Sequence, residues 1–204
     1  MPHNKTPQQI WDSLLEGNQR FVGHAVERPH STPERLIELQ GGQDPVAAVL
    51  SCSDSRAPVE LIFDTGFGDL FVVRTAGESL APAVFGSIEY AVKNLNIGLI
   101  VVLGHQNCGA VGAAIDALDN AQIPTDGQRI LIEKIIPSVI VSRNKGGTTA
   151  EEVEAEHAAI TADQLIKRTP VIAEKLFDGK LGVVAAHYGL ENGMVKAVKK
   201  YGVE

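Results

Sequence analysis

The chain has 204 residues, 44% of them hydrophobic and 21% charged, which is enough apolar material for the core of a single globular domain. A formal net charge of -7, with no cluster of Lys and Arg, excludes the electrostatic footprint of a nucleic-acid binder and points to a small-molecule partner. No stretch is long enough to span a bilayer, and the polar opening MPHNKTPQQIWDSLLEGNQRF lacks the apolar centre of a signal peptide, so a reducing cytoplasm with two available thiols is expected.

Residues 7 to 22 place Ile10, Trp11, Leu14 and Phe21 at helical spacing, which predicts an amphipathic arm that packs on something else, a second subunit being one target. Residues 1 to 40 are therefore assigned to a helical arm and 41 to 204 to the core of the same domain. Four short apolar runs follow: VAAVLS (46 to 51), LFVVR (70 to 74), LIVVLG (99 to 104) and LGVVAA (181 to 186). Their near-continuous apolar character predicts strands buried on both faces. Helical patterns alternate with them, at roughly 58 to 64, 83 to 95, 109 to 119 and a long one from about 149 to 177 opened by Thr148 and Thr149. The segment 128 to 143 also looks helical, with Pro137 expected to kink or divide it. The tail after Tyr188 fits either a terminal strand or a fraying helix. The fold class is α/β, a central, mostly parallel β-sheet flanked by helices.

Cys52 stands just beyond the first apolar run and Cys108 four residues beyond the third, so both fall at the C-terminal edge of the predicted sheet, where α/β proteins bind ligands. Around them the chain reads Cys52-Ser53-Asp54-Ser55-Arg56 and Gly104-His105-Gln106-Asn107-Cys108-Gly109. Two thiols, an imidazole and a carboxylate are all groups that zinc accepts. The two ligand groups lie far apart in sequence and there is no second Cys-x-x-Cys, which favours an open catalytic site over a closed structural one. Two thiolates cancel the charge of zinc, so such a site acidifies water less than a three-histidine site, and its activity should favour mildly alkaline pH.

With these motifs, and with LFVVRTAGE (70 to 78) and GSIEYAV (86 to 92), the chain resembles the beta-class carbonic anhydrases over roughly residues 40 to 190. The resemblance implies zinc held by Cys52, His105 and Cys108, and reversible hydration of carbon dioxide to bicarbonate. It implies a salt-linked dyad of Asp54 and Arg56 beside the metal, in which the Asp54 carboxylate either serves the open coordination position or takes that position itself as a fourth ligand. Gln43 matches a position whose amide contacts substrate, Gly109 one that lines the pocket through its backbone, and Phe71 and Tyr90 apolar residues contributed by a neighbouring subunit, so a homodimer or homotetramer is implied. Some members hold an inhibitory bicarbonate with a Trp, an Arg and a Tyr; Arg74 and Tyr188 match, but Val49 stands at the Trp position, which favours the non-allosteric subtype.

Two further functions share these residues: hydrolysis of carbonyl sulfide or carbon disulfide on the same zinc, and a bicarbonate-responsive zinc module without turnover. A nucleotide-binding domain is disfavoured, because no glycine-rich phosphate loop follows the first strand. Among the histidines, His3, His24 and His30 sit in the polar N-terminal region and are expected to be solvated. His157, with Glu154 and Glu156 near it, fits a solvated face or helix packing. His187 ends the fourth strand on the ligand edge, as a packed, hydrogen-bonded histidine or, more sharply, a proton relay.

Overall fold

A computed structural model describes residues 5–204; His3 lies outside them. Five strands, β1 (Ala47–Cys52), β2 (Leu70–Thr75), β3 (Leu99–His105), β4 (Gly182–Tyr188) and β5 (Val195–Tyr201), form one sheet in the order β2-β1-β3-β4-β5. The first four are parallel and β5 returns antiparallel to β4, so the tail is a strand.

The two-residue period of a strand sends alternate side chains to opposite faces, and both faces are covered. Ala48, Leu50, Ile100, Val102, Val183 and Ala185 point to one side. They meet α4 (Pro82–Asn94), α7 (Ala150–Arg168) and α8 (Pro170–Phe177) through Ile88, Leu165 and Ile172. Ala47, Val49, Leu99, Val101, Val184 and Ala186 point to the other. They meet α1 (Pro7–Val22) and α3 (Val59–Ile62) through Ile10, Trp11, Leu14 and Ile62. The predicted arm thus packs on its own chain's sheet, because its apolar stripe finds the uncovered face of β1 and β3. Asn18 fastens it there, donating to the carbonyls of Ile62 and Gly193 and accepting from the Val195 amide. Gly17 permits the approach: a Cβ on it would sit 1.9 Å from the Phe63 carbonyl oxygen.

One helix boundary differs from expectation, and one open alternative is decided. The long pattern from 149 is two helices, α7 and α8, parted at Thr169, which is extended (φ -125°, ψ 94°) because the Pro170 ring disfavours helical backbone before it. Conversely, Pro137 does not divide its segment, since α6 (Arg129–Asn144) runs through it. Burial of Ile132, Ile135 and Val139 outweighs the lost hydrogen bond there. Those residues pack with α5 (Gly109–Asn120) in a third cluster that also contains Cys52 and Cys108. A short helix, α2 (Pro33–Glu38), precedes β1. Among the described residues, no helix is long and apolar enough to cross a membrane.

Candidate metal centre

Parallel pairing in register brings the ends of β1 and β3 side by side, with Ser51 opposite Leu103. Cys52 is the last residue of β1, His105 the last of β3, and Cys108 the N-cap of α5. The three converge, buried, with their ligand atoms all within 4.8 Å of one another. The two sulfurs lie 4.0 Å apart, too far for a disulfide, and both cysteines are free. A tetrahedral ion with bonds of about 2.3 Å to sulfur would set them about 3.8 Å apart.

The histidine supplies the sharper test. Its Nδ1 donates to the Gln106 carbonyl at 2.9 Å, which leaves Nε2 with its lone pair bare. That atom is buried and has no hydrogen-bond partner among the described residues. A buried polar atom without a partner is costly. An ion between it and the two sulfurs removes the cost, so the residues present fit zinc. Without a metal the two sulfurs share a proton. The hydrogen bond from Cys108 pushes the Cys52 thiol down against the effect of burial, with His105 and the Gly77 and Asp54 amides adding to it. The same bond and burial push Cys108 up. Burial by itself would lower His105, but the Cys52 thiolate and the Gln106 carbonyl reverse the sign and raise it.

Asp54 stands beside this trio, its Oδ2 3.9 Å from His105 Nε2, and is not within it. Arg56 holds it in a fork, with Nε on Oδ1 at 2.9 Å and Nη2 on Oδ2 at 2.8 Å, while the Arg56 amide donates to Oδ1 at 2.8 Å. These bonds keep the Asp54 carboxyl well below the usual carboxylate range. Arg56 Nη2 also donates to the Asn107 carbonyl, tying the two ligand loops together. Arg74 reaches the carbonyls of Cys52, Asp54 and Ala57, so it clasps the first ligand loop from behind. Val49 is fully buried in the core and Tyr188 nearly so.

Of the remaining predicted site residues, Gly109 opens α5 next to Cys108. Gln43, Phe71 and Tyr90 are not brought to this chain's own trio. Gln43 is exposed in the loop entering β1, at the opposite end of that strand from Cys52. Phe71 pairs with Ala48, four residues before Cys52, and Tyr90 on α4 lies beside it, the ring centroids 6.1 Å apart.

His24 and His30 are exposed, as expected. His187 is a packed, hydrogen-bonded histidine, its Nε2 3.1 Å from the Glu154 carboxylate. His157 is buried in helix packing, bonded to Ser138 and to the Gly77 carbonyl. Sequence patterns missed Glu154, which is buried and accepts the Cys108 amide at 3.0 Å. Its signal was available, since 154, 158, 161 and 165 fall on one helical stripe with Ala158 and Leu165. Glu78 was missed too; it is fully buried, and burial pushes its carboxyl up to about 8 with the Cys52 charge adding to the shift.

Residues 47–195 match the carbonic anhydrase family. "Carbonic anhydrase 2" of Mycobacterium tuberculosis is 43% identical over 190 residues, 93% of this chain and 92% of that protein. Among solved structures, the beta-carbonic anhydrase CcaA superposes with a TM-score of 0.73 at 28% identity, covering 92% of this chain and 94% of that one. A structure described as one of two tetrameric beta-carbonic anhydrases of Sordaria macrospora shares the fold, with a TM-score of 0.72 at 23% identity over 92% of this chain and 95% of its own.

Proposed function

The chain belongs to the beta-class carbonic anhydrases, and we propose that it is a cytoplasmic zinc enzyme that interconverts carbon dioxide and bicarbonate. The observation that carries this is the bare, buried Nε2 of His105 facing two sulfurs, with a carboxylate held just outside by an arginine. Zinc, when bound by Cys52, His105 and Cys108, supplies a Lewis acid that lowers the pKa of water in its fourth position. The chain's own residues prepare that position. The Arg56 fork keeps Asp54 ionised beside the trio, its Oδ2 3.9 Å from His105 Nε2, and we assign the carboxylate to accept a hydrogen bond from a proton donor there instead of competing for the metal. Gly109, which follows Cys108 at the start of α5, is assigned to line the same opening through its backbone. Gln43, Phe71 and Tyr90 lie away from this chain's trio, and we assign them to the substrate slot of a neighbouring copy, which makes the working unit a homodimer or homotetramer.

The test is zinc content per purified chain together with stopped-flow hydration of carbon dioxide from pH 6 to 9. One zinc per chain and a rate that climbs towards alkaline pH are expected. Metal-free protein, or hydration no faster than buffer, overturns the proposal. Faster turnover of carbonyl sulfide or carbon disulfide in the same instrument would move the enzyme to the hydrolase alternative, and zinc without turnover of any of the three would leave a bicarbonate-responsive module.

A further inference from the structure

One helix, α7, reaches the Cys108 amide directly and Cys52 through Gly77. Glu154 and His157 lie three residues apart on α7, on the face turned to the sheet edge, and both are almost completely buried, at 2% and 3% exposure. Glu154 Oε1 accepts the backbone N–H of Cys108 at 3.0 Å, while its Oε2 receives His187 Nε2 at 3.1 Å. His157 Nε2 donates to the Gly77 carbonyl at 2.8 Å. A carbonyl can only accept, so Nε2 carries the proton and Nδ1 accepts the Ser138 hydroxyl at 2.8 Å. Burial lowers the basicity of this imidazole, in keeping with the neutral tautomer. Gly77 in turn aims its own N–H at Cys52 Sγ, 3.3 Å away.

Gly77 is held in the left-handed region at φ 61°, and a Cβ there would meet Ile135 Cδ1 at 2.8 Å and Ala110 Cβ at 2.9 Å. The two peptide planes at Gly77 are linked through φ and ψ, so with the backbone packed at φ 61° and ψ 40° the anchor of its carbonyl on His157 also restrains its amide. An N–H donor to a thiolate withdraws charge from sulfur and sets how strongly it gives electrons to a metal.

We propose that Glu154 and His157 are positioning residues for the metal centre, one orienting Cys108 through its amide and the other orienting Cys52 through Gly77. The proposal rests on the zinc assignment made above. Neither residue touches substrate, and each acts through a ligand.

Zinc affinity by chelator competition and the sulfur-to-cobalt charge-transfer band of the cobalt(II)-loaded chain test it. His157→Leu removes the donor to Gly77 and should weaken zinc by about 10- to 100-fold and shift the band. His157→Gln can place an amide N–H near the old Nε2 position and should restore both. Glu154→Met should weaken zinc similarly, and Glu154→Gln, which keeps an acceptor for the Cys108 amide, should recover most of the affinity. A purely structural role would lower the melting temperature while leaving the folded protein's affinity and band unchanged, and that result overturns the proposal. Should His157→Leu fail to fold, Ser138→Ala decides. That variant frees the His157 ring without touching the metal site, and a smaller loss of affinity with a band shift is expected, whereas none in either overturns the inference. A wild-type chain that takes up neither zinc nor cobalt would instead refute the metal assignment itself.

Discussion

At the scale of single residues, the candidate site sets three potential metal ligands beside a carboxylate paired with Arg56. Asp54 has the donor type and the position to be a fourth ligand, yet three hydrogen bonds from Arg56 occupy its oxygens. Asp54→Asn should therefore retain one zinc per chain while turnover falls by about 10²- to 10⁴-fold, the usual worth of a positioned proton acceptor. Metal analysis alongside stopped-flow assay checks it, and unchanged turnover would remove Asp54 from the mechanism. Gly77 is the second sensitive position. Gly77→Ala combines a left-handed backbone with two close contacts, and should cost at least about 2 kcal/mol in urea unfolding.

At the scale of elements, the connection between α1 and α3 depends on one buried carboxylate. Asp64 follows α3 and receives Arg20 Nε from α1 at 2.6 Å, with the amides of Glu27 and Arg28 at 3.0 and 2.9 Å. Burial alone would raise its pKa, but the Glu27 amide, Arg20 and the Arg28 amide together bring it below the ordinary value. A folded-state pKa below the unfolded one means that this stabilisation is complete above roughly pH 4 and is lost as pH falls through the lowered folded value. Asp64→Ala should destabilise the chain by about 2–4 kcal/mol at neutral pH, leaving a cation and two amides without their acceptor. Its unfolding midpoint should also fall less on acidification than that of the wild type. Equal acid sensitivity in the two proteins would show that Asp64 is not the group responsible.

At the scale of the whole molecule, the placement of Gln43, Phe71 and Tyr90 away from the trio has a direct consequence for assembly. Apolar side chains also lie open in the same chain, among them Ile37 at 64%, Leu61 at 60% and Phe177 at 93% exposure. Sedimentation equilibrium should find a dimer or tetramer. Dilution into the dissociating range should lower specific activity while zinc stays bound, because the ligands come from one chain and the proposed slot from two. A monomer with full activity would contradict this.

Much of the fold was legible along the chain. Apolar runs located the four parallel strands; β1, β3 and β4 are buried throughout, as a run without polar alternation predicts, whereas β2 stands at the sheet edge and is only partly buried, and the Cys-Ser-Asp-Ser-Arg and Gly-His-x-x-Cys-Gly motifs marked the candidate ligand trio because their chemistry is local. The Thr169-Pro170 step held the signal for the α7 and α8 break, but a continuous helical pattern masked it. What sequence could not decide were relations between distant segments: that α1 covers its own sheet, that Arg56 grips both Asp54 oxygens, and that one helix brings Glu154 to the Cys108 amide and His157 to the Gly77 carbonyl. Residue type and spacing report a side chain's own preference, whereas a buried charge or imidazole takes its role from whichever partners packing brings to it.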